Sequence, residues 1–142
     1  RMGAIELCNQ IAWLKRERSS GSSRALTQDD LEALANLDIE GWWQVPETRD
    51  PVQEPLMRAA AWYFLYARNA RGFPADPVAR FHLDNGARLE RLNAQANVSP
   101  KGLKQSAGLM VNYLYDLARI ERHHDRFAHG EVVASRAVSA LL

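Results

Sequence analysis

Cysteine occurs once, at Cys8, so no intramolecular disulfide can form and the disulfide-stapled scaffolds of small secreted chains are excluded. Such usage suits a reducing, cytoplasmic setting. No apolar run approaches the roughly 18 residues that a membrane-spanning helix needs. No charge sign predominates either: the formal net charge is +1, which gives no general reason to bind nucleic acid or an anionic membrane. Glycine is sparse in the first forty residues, where Gly3 and Gly21 stand alone, so a glycine-rich phosphate cradle has no place there. The start, Arg1-Met2-Gly3, lacks signal-peptide anatomy, and an initial Arg is the expectation for a piece of something longer.

What is present suits one globular domain. Of the 142 residues, 46% are apolar and 25% charged, enough to bury a core and solvate its surface. Residues 4–18 place Ile5, Cys8, Ile11, Ala12 and Lys15 at helical spacing, which predicts an amphipathic helix. A solvated serine linker follows, residues 19–23. Thr27 reads as an N-cap, with Asp30 three residues on as an acidic capping box, opening a short helix through Leu31, Leu34 and Leu37. Trp42-Trp43 suits either a ligand platform or a loop packed on the core, and residues 46–51 read as a turn-rich connection.

From Pro55, residues Leu56, Ala59, Ala60, Tyr63 and Ala67 predict another helix. Asp76-Pro77 is an N-cap followed by proline at the first helical position, and Asn85-Gly86 closes the helix they open. Beyond Gly86 the period shortens and predicts a strand, imperfectly alternating because of Arg88 and Glu90. Residues 99–102 read as a turn, 109–117 as a second strand, with a helix left open for so short an apolar run, and 131–142 as a helical tail. The fold class expected is α+β, richer in helix than in strand.

The stretch from Asp76 to Ala87, Asp-Pro-Val-Ala-Arg-Phe-His-Leu-Asp-Asn-Gly-Ala, resembles the signature of malonyl-CoA decarboxylases. The similarity runs on through Arg91-Leu92-Asn93, Asn97-Val98-Ser99, Gly102 and residues 106–115, and upstream it takes in Trp62-Tyr63 and Arg71-Gly72. It divides the chain into a weakly matching helical segment, residues 1–54, and the C-terminal part of the family's catalytic domain, residues 55–142. The resemblance implies the C-terminal portion of an acetyltransferase-like (GNAT-like) fold, incomplete in this chain.

It further implies malonyl-CoA as substrate, acetyl-CoA and CO2 as products, and no cofactor, because the thioester itself accepts the electrons of the breaking bond. His82 stands as the catalytic histidine, a proton donor to the nascent acetyl carbon; histidine suits that task near neutrality. Tyr115 is a candidate to support it or merely a core aromatic. Asn85 is a candidate substrate contact or a turn cap, and Arg80 and Lys101 are weak candidates for coenzyme A phosphates. His123-His124 with Asp125 and His129 lacks the spacing of a metal site, because adjacent side chains diverge.

The family pairs its histidine with a serine on a Ser-Pro strand just before a helix carrying Trp-Leu. Here Trp13-Leu14 is preceded by residues 4–11 without Ser-Pro. The chain alone is therefore expected to be inactive, associating with the rest of an enzyme or with copies of itself. The alternative is a catalytically dead interaction module; an acyltransferase is a further reading, for which no acceptor is evident.

Overall fold

A computed structural model describes residues 2–142; Arg1 lies outside the described residues. Among the described residues, seven α-helices and one three-stranded antiparallel sheet make a helix-rich α+β fold. Strand β1 is Met2–Leu7, β2 Arg88–Asn93 and β3 Met110–Tyr115, in the order β1-β3-β2. The first residues are thus a strand, correcting the expected helix over 4–18; helix α1 begins only at Ile11 and runs to Ser20. The apolar spacing was compatible with both states. The choice is made by β3, more than a hundred residues away, which supplies the hydrogen-bonding partner of β1.

Helix α2, Gln28–Leu34, opens with the capping box expected, Thr27 accepting from the Asp30 amide and Asp30 accepting from the Thr27 amide. Asp30 is buried and also pairs with Arg58 of the next helix. That helix, α3, spans Pro46–Tyr66, so the residues expected to form a turn-rich connection are helical. Pro46 sits at its first position, where no amide bond is lost. Pro51 and Pro55 lie inside, and burial of Val52, Leu56, Ala59 and Phe64 holds the helix together across them. Trp13 stacks on Trp62 at 5.8 Å, pinning α1 to α3, while Trp42 is buried in the core rather than offered as a platform.

Helix α4, Pro77–Asp84, starts and stops where its local signals say. β2 follows, with a bulge between Leu89 and Arg91. The extra residue explains the broken alternation: Leu89 and Leu92, three apart, both become buried. Ser99, read as the start of a turn, instead caps helix α5, Pro100–Ser106. After β3 comes α6, Ile120–Ala128, which its polar sequence did not announce. In the tail only Arg136–Ser139 is helical (α7). Just before it, Ser135 N donates to Leu89 O and Leu89 N donates to Val133 O, so the tail covers the outer edge of β2. No helix is long and apolar enough to cross a membrane among the described residues.

Candidate functional site

Helix α4 lies against the sheet with Ala79, His82 and Leu83 turned inward and Phe81 exposed. Asp76 fixes its start, one oxygen accepting from the Val78 and Ala79 amides at 2.9 and 3.0 Å. Gly86, with φ of +89°, fixes its end and turns the chain into β2.

The sheet face toward this helix carries Tyr113 and Tyr115, two apart on β3 and therefore on the same side. His82, 7% exposed, settles between them. The Tyr113 ring stacks on the imidazole, with centroids 4.4 Å apart and planes 25° from parallel. The Tyr115 hydroxyl lies 2.5 Å from His82 Nδ1. Two of the sequence-predicted residues, 33 positions apart, are thus brought into direct contact. Burial, then the nearby Glu6 carboxylate, pushes the Tyr115 phenol above its ordinary range, so it keeps its proton near neutrality.

Tyr115 occupies Nδ1 whichever way the proton lies between them, because a phenol can donate to or accept from a ring nitrogen. In the imidazolium form Nδ1–H donates to the phenolic oxygen and Nε2–H remains free. Nε2 is thus the ring nitrogen that Tyr115 leaves open. It faces β1, where Glu6 Oε1 is 3.8 Å away, beyond hydrogen-bond length but within ion-pair range. Glu6 was not anticipated, because its segment was read as helical. With β1 recognised as a strand, its side chain falls beside Ala4 on the face of Tyr113 and Val111.

The other candidates lie apart. Asn85 caps α4, its Nδ2 donating to Phe81 O at 2.7 Å, and its side chain stands at the exposed end of the helix. Arg80 lies over the Phe73 ring at 3.7 Å, and Lys101 is exposed on α5. His123 is buried, with its pKa lowered first by that burial; His124 reaches Asp84 O, and His129 the Asp125 carbonyl of its own helix. Among the described residues no three acidic, histidine or cysteine side chains converge as metal ligands.

Beneath the site, burial raises the pKa of Asp76, opposed by its two amide hydrogen bonds. A carboxyl whose folded pKa is raised contributes stability below its unfolded value and loses that contribution as pH rises through the folded one. Asp76→Asn should therefore gain stability relative to the parent between about pH 4 and pH 7, measured by urea unfolding at both ends. A relative loss over that range would show the charge to be stabilised instead.

Comparison with known proteins adds an independent line. The family described as malonyl-CoA decarboxylase C-terminal domain matches residues 7–142. The mitochondrial malonyl-CoA decarboxylase of Rattus norvegicus is 49% identical over 87 residues, 61% of this chain and 18% of the rat protein. That of Anser anser anser is 40% identical over 103 residues, 72% of this chain and 20% of the goose protein. The crystal structure of malonyl-CoA decarboxylase from Agrobacterium vitis superposes with a TM-score of 0.91 at 43% identity, covering 98% of this chain and 35% of that one. The one from Rhodopseudomonas palustris gives 0.87 at 47%, covering 92% and 30%. The chain therefore spans about a fifth of the curated relatives and about a third of the solved ones.

Proposed function

Since this chain belongs to the malonyl-CoA decarboxylase family, we propose that it is the C-terminal part of a carboxy-lyase converting malonyl-CoA to acetyl-CoA and CO2. The observation that carries the reading is the seating of His82, buried, stacked and held at Nδ1 so that Nε2 is left free. In the reaction the bond between the carboxylate and the α-carbon breaks. Its electron pair moves toward the thioester as an enolate, and CO2 departs. His82, as imidazolium, transfers the Nε2 proton to that carbon, forming the methyl group of acetyl-CoA, and regains a proton from solvent.

Tyr115 supports the acid by holding Nδ1. Asn85, with one Nδ2 proton held by Phe81 O, keeps a second to donate to the substrate carboxylate. The acetyltransferase-like scaffold is part of the same proposal: a short helix, a glycine and a late strand form the acyl-CoA wall. The rest of the wall comes from the remainder of the enzyme or from another copy of the chain.

Assay of the 142-residue chain with malonyl-CoA should show no turnover at an enzymatic rate. The same chain fused behind the remainder of the Agrobacterium vitis protein should release acetyl-CoA. A folded fusion without turnover would favour the second reading, an interaction module that has lost catalysis. That reading has one observation of its own: β1, the strand before Trp13-Leu14, carries no serine and presents Glu6 to the histidine.

A further inference from the structure

The mechanism leaves one buried acid unused. Asp76 is 2% exposed and stands at the head of the helix that carries His82. Its Oδ1 caps α4, while Oδ2 is enclosed and makes no well-formed hydrogen bond. A cap needs only one acceptor. Helices α2, α5 and α7 take theirs from the hydroxyls of Thr27, Ser99 and Ser135, which avoid the cost of burying a carboxylate. The second oxygen of Asp76 lies instead among side chains of the site. Burial first, and then the Asp76 charge, raises the Tyr63 and Tyr113 phenols and the Cys8 thiol above their ordinary ranges. Burial disfavours the Asp76 charge itself, and the Tyr63 hydroxyl assists the two amide donors in opposing that effect.

One carboxylate thus meets α3 through Tyr63, the end of β1 through Cys8, and β3 through Tyr113, whose ring stacks on the His82 imidazole. Helix α4 has eight residues, about two turns, too short to keep its place without such ties. Ala75 N also donates to Ala67 O at 3.0 Å, drawing the approach to α4 toward the end of α3. We propose that Asp76 is a positioning residue for the reaction: its whole carboxylate, not its capping oxygen alone, seats the first turn of α4 against Tyr63 and Tyr113, and so sets where His82 Nε2 meets the acyl carbon. The proposal rests on the reading that His82 is the proton donor. A helix this short moves as a unit, so a shift of its first turn is carried to the imidazole in its last. A displacement of about 1 Å there costs on the order of 10²-fold in rate.

The test uses the fusion with the remainder of the Agrobacterium vitis protein, assayed with malonyl-CoA at a temperature well below the melt of each variant. Asp76→Asn keeps the shape and two polar atoms, so kcat and KM should stay within about threefold of the parent. Asp76→Ser caps a helix about as well as aspartate and should fold, but its single oxygen supplies no counterpart to Oδ2. Its kcat should fall by about tenfold to 10²-fold with KM within about twofold, because misplacement acts on the proton transfer and not on binding. Thr27→Ala is the control: it removes a cap from α2, away from His82, and should melt earlier with kcat unchanged. If Asp76→Ser keeps the parent kcat, or if Thr27→Ala loses as much, Asp76 acts through capping or stability alone and the proposal falls. If Asp76→Asn loses as much as Asp76→Ser, the charge acts rather than the seating, and the proposal falls again. Each of these results leaves the role of His82 standing. Should His82→Asn retain turnover in the same fusion, the reading of His82 as donor fails and takes the proposal with it.

Discussion

His82→Asn, placed in the enzyme assembled with the remainder of the Agrobacterium vitis protein, is expected to lower kcat by about 10³-fold or more, within the upper range of general acid catalysis. The loss should fall on kcat, because the proton is needed only once the carbon–carbon bond is breaking. Asparagine can occupy the inner part of the histidine's space and still accept from Tyr115, but it has no proton to give at the position of Nε2. The variant gives up the imidazole stacking on Tyr113, a pair that contributes about 0.5–1.5 kcal/mol beyond its area. It should therefore unfold slightly earlier yet cooperatively. Stopped-flow or coupled measurement of acetyl-CoA release, with a thermal melt on the same preparation, separates the two effects. Near-parent kcat in a folded variant would remove His82 from the chemistry.

Gly86→Ala is expected to cost about 3 kcal/mol of stability, a large part of what a domain this size possesses. The backbone there has φ of +89°, a conformation that an L side chain adopts only under strain. The added methyl would also stand 2.7 Å from both Ile120 O and Ile120 Cγ2, so α6 would have to move or the turn unwind. Gly130→Ala provides the control. Its φ is +90°, yet nothing lies within 4 Å of the new carbon, so only the backbone strain of about 1–2 kcal/mol remains. Urea unfolding of the two variants should differ by more than about 1 kcal/mol. Equal losses would show that Ile120 gives way freely and that Gly86 is needed for its backbone alone.

The same turn shows why parts of the fold were readable. Asp76-Pro77 and Asn85-Gly86 act on their own backbones, so both ends of α4 could be placed without knowing what it packs against. The Thr27–Asp30 box is equally local. β3 was legible for another reason: as the central strand it is paired on both sides, and its dense apolar and aromatic run reflects that burial. β1, an edge strand with exposed Met2 and Ile5, has no such density and was taken for helix. α6 was missed because its inward stripe is thin, half-buried Ile120 and Phe127 on either side of buried His123 among otherwise charged residues.

For the site, the signature around His82 singled out that histidine and the apolar run placed Tyr115 on a strand. Their hydrogen bond could not be read, because it joins residues from two elements whose relative placement depends on the whole sheet. Glu6 was invisible for the same reason: its position opposite Nε2 exists only once β1 pairs with β3.

By itself, then, the sequence determined the helix that carries His82, its two ends, the central strand and the family to which the chain belongs, because each depends on signals within a few residues or on a continuous motif. Tertiary structure alone decided that the first residues form a strand, that His82 lies between two tyrosines, and which carboxylate faces its free nitrogen. Strand hydrogen bonds and side-chain encounters between distant segments have partners far along the chain, and local patterning carries no record of which partner is chosen.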